Sequence, residues 1–272
     1  MYAFELKRPS TLDEALDLLA AEDAQPFAGG QTLIPTLKAR LAMPQRLVSL
    51  RAIAELRGVT QDRDGALVIR SATPHAIVAQ EAAEIFPALA ELAANIGDPA
   101  VRNRGTIGGS LANNDPSACY PAAALACGAT IVTARREIAA SDYFEGIFTT
   151  ALEEDELITE VRFPIPQAAR YVKFAQAASR FALTGVFVAR FDAGARVAVT
   201  GASQDGVFRW PEAEAALDAD WTPDAIEALS PPDMPMIDDM HGSGAYRAEL
   251  AKVLTARAVA AIMGASGPSG LT

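Results

Sequence analysis

Cysteine, histidine and tryptophan are scarce in this chain, two of each among 272 residues, and the first two scarcities close off classes of function. Cys119 and Cys127 stand eight residues apart in no metal-ligand spacing, which argues against a disulfide framework, a structural zinc site and an iron–sulfur cluster. Two thiols without a framework fit a reducing cytoplasm. His75 and His241 lack companion ligands, so both are read as structural and no metal centre is expected. No serine or cysteine has a convincing base partner, which leaves hydrolase chemistry unsupported. Neither a G-x-G-x-x-G fingerprint nor a loop ending in Gly-Lys-Ser/Thr is present, so an ordinary Rossmann or nucleotide-hydrolase site fails. Positive charge is also short: 23 Lys and Arg face 34 Asp and Glu, and the net charge of -11 would repel a nucleic-acid backbone. The longest apolar runs, 121–127 and 258–263, fall far below the roughly 20 residues that cross a bilayer. Residues 1–9 carry Glu5, Lys7 and Arg8 and lack the apolar core of a secretory signal.

What is there is a packed globular chain, half hydrophobic and long enough for two domains. Thr11 and Glu14 form a capping box ahead of Leu12, Leu16 and Leu19 along one helix face. A short strand at 26–28 runs into Gly29-Gly30 and a helix start. Residues 46–50 read as a strand, and 57–61 with 67–70 as a hairpin through Asp64-Gly65. Thr73-Pro74 and Phe86-Pro87 each open a helix with proline at the first helical position, and Leu89, Leu92 and Ile96 line the second. The stretch 98–116, rich in Gly, Asn, Pro and Arg, reads as a long irregular loop, and such loops are usually functional. Strands follow at 130–133, 137–139 and 157–163. Pro164-Ile165-Pro166 marks the expected domain boundary. Beyond it, strands at 171–176, 186–190, 196–200 and 206–209 suggest a small antiparallel sheet, with helices at 211–217, 222–229 and 246–263 over one face. The tail 264–272 is compositionally loose and is expected to fray.

Two glycine pairs carry the chemistry. A pyrophosphate needs several backbone N–H groups converging on it with no side chain in the way, which paired glycines at a strand-to-helix turn provide. The first place is Ala28-Gly29-Gly30-Gln31-Thr32-Leu33-Ile34-Pro35. The second is Gly105-Thr106-Ile107-Gly108-Gly109-Ser110-Leu111-Ala112-Asn113-Asn114, with Thr32, Thr106 and Ser110 as hydroxyl donors. A single Gly-Gly turn is most simply a tight turn or a helix end; two together point to a dinucleotide.

These loops, with Arg102-Asn103-Arg104 leading into the second, resemble the paired FAD loops of molybdenum-hydroxylase flavoprotein subunits, the medium subunits of carbon monoxide dehydrogenase and xanthine dehydrogenase-type enzymes. Thr149-Thr150-Ala151-Leu152, Glu156-Leu157-Ile158-Thr159-Glu160-Val161 and Tyr246-Arg247 are similar to that family's later landmarks, so the resemblance covers nearly the whole chain. It implies an α+β fold: a two-lobed FAD-binding domain of the vanillyl-alcohol-oxidase (PCMH) type at 1–166, with lobes at roughly 1–56 and 57–166, then a small α+β domain at 167–272. It implies that Ala28, Gly29, Gly30, Gln31, Thr32, Leu33 and Ile34, with Thr106, Ile107, Gly108, Gly109 and Ser110, contact the FAD phosphates and ribityl chain. Ala112 and Asn113 continue that loop, and Ile158 and Lys173 are expected near the adenine or isoalloxazine ends. Where the family commonly has an aspartate on the ribityl hydroxyls, this chain has Cys119, a weak hydrogen-bond partner; Asp115 is the nearby carboxylate.

The function so implied is electron relay, with an oxidoreductase complex passing electrons from iron–sulfur clusters of a small subunit to this FAD, downstream of a large molybdopterin-binding subunit. The resemblance extends to a dimer of heterotrimers and to NAD or a quinone as acceptor. No nucleic acid or membrane span is expected. Two other readings stay open at this stage: a self-sufficient FAD oxidase or reductase of the same fold, and a non-catalytic binding or assembly module. Of the remaining residues, Arg102 and Arg104 suit either phosphate neutralisation or loop ordering. Tyr120 is the better aromatic candidate near the flavin, Trp210 and Trp221 read as core or interface anchors, and 153–156 reads as a solvated acidic turn.

Overall fold

The computed structural model describes residues 1–265, so 266–272 of the expected loose tail lie outside the described residues. The chain opens with β1 (Glu5–Lys7), α1 (Leu12–Leu19), β2 (Ala24–Phe27), α2 (Leu33–Lys38) and β3 (Arg46–Ser49). The three strands form a parallel sheet in the order β1-β3-β2, each joined to the next through a helix. Thr11 caps α1 by accepting from Glu14 N, whereas the Glu14 carboxylate accepts from Ser10 N at 2.8 Å, one residue before the partner a capping box requires. Ala15, Leu19, Val48, Leu50, Ile53 and Leu56 bury the face between helix and sheet.

A second sheet follows, built from β4 (Val59–Gln61), β5 (Leu67–Arg70), β6 (Thr130–Thr133), β7 (Glu137–Ala139) and, after two short strands β8 (Phe144–Gly146) and β9 (Thr149–Thr150), from β10 (Ile158–Phe163). Its order is β4-β5-β10-β6-β7, all antiparallel, so β10 returns to lie between strands far earlier in sequence. Between β5 and β6 the chain makes α3 (His75–Glu81), α4 (Pro87–Ala94), α5 (Pro99–Arg102), α6 (Ile107–Asn113) and α7 (Tyr120–Cys127); α8 (Ala140–Tyr143) precedes β8.

Two of these helices correct the sequence reading, because 98–116 is not one irregular loop. Asp98 caps α5 by accepting from Val101 N at 2.9 Å, with Pro99 in the first turn, and Thr106 caps α6 by accepting from Gly109 N at 3.2 Å. The glycines at 108 and 109 disfavour helix by up to about 1 kcal/mol each, and packing of α6 against β5 and β10 overrides that. Pro87 takes the first turn of α4 as expected, whereas Pro74 stands at the cap of α3, one position before the expected one.

The last sheet is a meander of β11 (Ala168–Ala175), β12 (Ala182–Phe191), β13 (Gly194–Ser203) and β14 (Gly206–Arg209). On one face lie α9 (Pro211–Ala219), α10 (Pro223–Glu227) and the long α11 (Gly244–Ala265), around Val186, Val188, Val197, Trp210 and Leu254. Against the other lie α4 and α7 of the preceding region, around Tyr171, Phe187, Ala189 and Ala198. Burial on both faces removes the period-two alternation, which is why β12 runs four residues earlier than its pattern suggests. Arg247 on α11 is buried, donates from Nη2 to both carboxylate oxygens of Asp239 at 2.8 Å and donates from Nη1 to the carbonyls of Leu183 and Gly201. Among the described residues no helix is long and apolar enough to cross a membrane, and no cluster of His, Cys, Asp and Glu could hold a metal ion.

Candidate functional site

The two glycine loops meet back to back. A methyl group on Gly29 would stand 2.7 Å from Cα of Gly105 and closer still to the carbonyl oxygen of Arg104, so only glycine lets these backbones touch. A methyl on Gly105 would strike the His75 ring at 2.6 Å, and one on Gly108 the Cβ of Ser71 at 2.6 Å. These three glycines answer to contacts within the protein. Gly30 has φ +71°, a conformation that favours glycine, and turns the chain from β2 toward α2. Gly109 differs from all of them: its methyl would meet only Thr106 Oγ1, at 3.1 Å, and otherwise face open space.

Gly109 lines a cleft of about 630 Å³. Of the residues expected at a cofactor, Ala28, Gly29, Gly30, Gln31, Thr32, Leu33, Thr106, Gly108, Gly109, Ser110, Ala112, Asn113, Asp115, Cys119, Ile158 and Lys173 all line it. Ile34 and Ile107 do not: Ile34 closes the turn by donating from its N–H to the carbonyl of Gly30, and Ile107 is wholly buried in the core. Asp115 accepts from Ser117 N at 2.8 Å, which ties its loop into the wall. The same loop is held from the C-terminal sheet, where the buried Thr200 hydroxyl lies 2.8 Å from the carbonyl of Pro116 and 2.9 Å from that of Ala118.

The cleft also has walls that the sequence did not signal. Ser71 and His75 lie under the second glycine loop, and Ser71 Oγ and His75 Nδ1 are buried with no partner in the chain. Burial, reinforced by the charge of Arg102, lowers His75 to about 4, which keeps the imidazole neutral. Residues 179–181 in the β11–β12 turn bring Phe181 to the cleft, half exposed. Nothing in their composition separates them from an ordinary turn.

Three expectations change. Tyr120 is not an aromatic of the site: it is fully buried, its ring 5.3 Å from that of His75. Arg102 orders its loop by donating to the carbonyls of Ile96 and Gly97. The acidic turn is only partly solvated, since Glu156 is buried and accepts from Arg136, from Thr133 Oγ1 at 2.7 Å and from Glu153 N. The Arg136 bonds, chiefly, hold its carboxyl at about 2.

The donor set fits a dinucleotide. Two glycine turns line one cleft, one glycine keeps its side open, hydroxyls stand at Thr32, Thr106 and Ser110, and unpartnered polar atoms lie in the floor. The comparisons agree. Residues 2–166 match the family described as the FAD binding domain in molybdopterin dehydrogenase. The carbon monoxide dehydrogenase medium chain of Afipia carboxidovorans is 33% identical, covering 94% of this chain and 96% of the relative. The nicotine 6-hydroxylase medium subunit of Paenarthrobacter nicotinovorans is likewise 33% identical over the same shares. Among solved structures, carbon monoxide dehydrogenase from Oligotropha carboxidovorans superposes with a TM-score of 0.89 at 31% identity, over 97% of this chain and 98% of that one. Quinoline 2-oxidoreductase from Pseudomonas putida 86 gives 0.89 at 30% identity over the same shares. Matched in sequence over nearly its whole length and in fold to these oxidoreductase components, the chain belongs to the FAD-binding medium subunits of the molybdenum hydroxylases.

Proposed function

We propose that this subunit relays electrons: its FAD accepts them from iron–sulfur clusters of a small partner subunit, served in turn by a large molybdopterin-binding subunit, and passes them to NAD or a quinone. The observation that carries the reading is the cleft itself, about 630 Å³ in volume and lined by both glycine turns. Bound there, the flavin supplies the redox chemistry, and the chain's own residues bind and orient it. Residues 28–33 offer backbone N–H groups to the pyrophosphate, and Thr32 adds its hydroxyl. At the second turn the N–H groups of Gly108, Gly109 and Ser110 are held by Ser71 and Thr106, so that turn contributes the hydroxyls of Thr106 and Ser110 and the open side of Gly109. Asp115 and Cys119 take the ribityl side, and Ile158 and Lys173 the two ends. Recognition of the phosphates rests on backbone dipoles, because the guanidinium of Arg102 is engaged with carbonyls of its own loop.

The reading divides the chain at 166, into a two-lobed cofactor domain and a C-terminal domain whose sheet braces the cleft through Thr200. It includes assembly as a dimer of heterotrimers in the cytoplasm, where the free, buried thiols of Cys119 and Cys127 stay reduced. Substrate choice belongs elsewhere in such a complex, since medium chains of enzymes named for carbon monoxide and for nicotine are equally identical to this one.

The test begins with the visible spectrum of the purified chain and identification of the cofactor released on denaturation; one FAD per chain is expected. The flavin should then be reduced by a reduced iron–sulfur partner and not by small organic donors alone. Reduction by an organic donor without partners would replace relay with a self-sufficient oxidase or reductase. A colourless chain that refuses FAD would leave a binding module.

A further inference from the structure

A lysine ammonium stands at the wall of the cleft without a counter-charge. Lys173, on β11, donates from Nζ to the carbonyls of Asn95 and Arg180, both at 2.8 Å, and lies 3.6 Å from Sγ of Cys119. An ammonium has three protons, and these three acceptors engage all of them. None is a carboxylate, and among the described residues Lys173 makes no ion pair. The Tyr171 hydroxyl, buried beside Cys119, is held protonated by burial and adds no negative charge. The charge is therefore neither cancelled nor free to donate again; it reaches the cleft through its field, which a partly desolvated site screens less than water does.

Elsewhere the cleft is lined by Glu153 and Glu154, both exposed; Glu153 is paired with Arg135 at 3.1 Å, the charge of Arg136 is engaged by Glu156, and Glu154 makes no ion pair among the described residues. A ring system that becomes an anion on reduction is favoured beside Lys173, where the half-exposed Phe181 also offers an apolar face next to Arg180. We propose that Lys173, left uncompensated because its side-chain neighbour is the thiol of Cys119, stabilises the negative charge that the flavin ring acquires on reduction and so raises the cofactor's reduction potential. The step is uptake of two electrons and one proton by the neutral ring, leaving one negative charge. The electrons come from the partner's clusters in the complex and from dithionite in the test. The proposal rests on the FAD reading above.

The experiment uses the full chain loaded with FAD, with the two-electron midpoint measured against reference dyes and the affinity for oxidised FAD measured by fluorescence. Cys119→Asp places a carboxylate against the ammonium while leaving its two carbonyl bonds in place. It is expected to reduce the preference for reduced over oxidised flavin at least tenfold, a fall of about 30 mV for a two-electron couple. Lys173→Gln should move the midpoint the same way, and Cys119→Ser should not move it. Because Lys173→Gln also breaks the bonds to Asn95 and Arg180, Cys119→Asp carries the decision. A Cys119→Asp chain that holds one FAD with an unshifted midpoint overturns the proposal. Failure of the unmodified chain to take up FAD would instead overturn the functional reading, and would be seen before any potential is measured.

Discussion

Gly29 and Gly109 belong to similar-looking motifs, yet the structure gives them different duties, and alanine at each position separates packing from binding. At Gly29 the new methyl would stand 2.7 Å from Cα of Gly105 and against the Arg104 carbonyl, both of them backbone. Carbon atoms rest at about 3.5 to 4.0 Å, so the two loops must part by about 1 Å. Overpacking of this kind costs about 1 to 3 kcal/mol. Taking about 2 kcal/mol, the melting temperature of the cofactor-free chain should fall by roughly 4 to 8 °C. Amides moved by that distance lose their aim at a phosphate, and each bond to a charged acceptor is worth about 1.5 to 3 kcal/mol. FAD affinity should therefore drop about ten- to a hundredfold. At Gly109 the methyl meets only Thr106 Oγ1 and points into open space within α6. Alanine is the better helix former by about 0.5 to 1 kcal/mol, so the cofactor-free chain should melt no lower than before, while FAD affinity falls at least about tenfold because the cleft is filled. Scanning calorimetry of the cofactor-free protein and fluorescence titration with FAD measure both quantities. A Gly29→Ala chain with unchanged melting and affinity would refute the back-to-back contact. A Gly109→Ala chain that binds FAD normally would refute the assignment of the open space to the cofactor.

Thr200→Val removes the hydroxyl shared by the carbonyls of Pro116 and Ala118, which should cost about 1 to 3 kcal/mol and weaken FAD binding several-fold through the cleft wall, read by the same titration. His75, lowered from 6.5 to about 4, binds its proton less readily in the fold than in the unfolded chain. Its contribution is thus complete above pH 6.5 and is lost as pH falls from 6.5 toward 4, about 3 kcal/mol in all. Urea denaturation across that range should show the slope, and His75→Gln should flatten it; an equal slope in the variant would exclude His75 as its source. Arg136→Met leaves the buried Glu156 carboxylate with Thr133 and Glu153 N alone and should destabilise the chain at pH 7. Glu156 is lowered from 4.5 to about 2, so its contribution is present above 4.5 and fades as pH falls toward 2. The gap between variant and parent should close over that interval in the same denaturation series, and a constant gap would mean that Arg136 acts by packing.

Local chemistry was legible in the sequence because it depends on few neighbours. Paired glycines, a threonine three residues ahead of a glutamate, and proline after phenylalanine each name a turn, a cap or a helix start from within one short segment. The presence of two such glycine turns set the cofactor class, and the shortage of cysteine and histidine set aside clusters and metals. The sequence could not say which glycines serve the ligand and which serve each other, since that depends on Arg104, Ser71 and His75 arriving from other segments. Nor could it find Phe181, an ordinary turn residue until β11 and β12 carry it to the cleft. It misread Tyr120, whose place beside the second loop in sequence becomes a place beneath it in the core. It also shortened β12, where α7 and α11 cover both faces and erase the alternation by which strands are recognised. The kind of ligand was thus determined by residue types at short spacing, while the walls, the charge balance at Lys173 and the brace at Thr200 were decided only when distant strands closed the cleft, because burial and contact are properties of the folded chain as a whole.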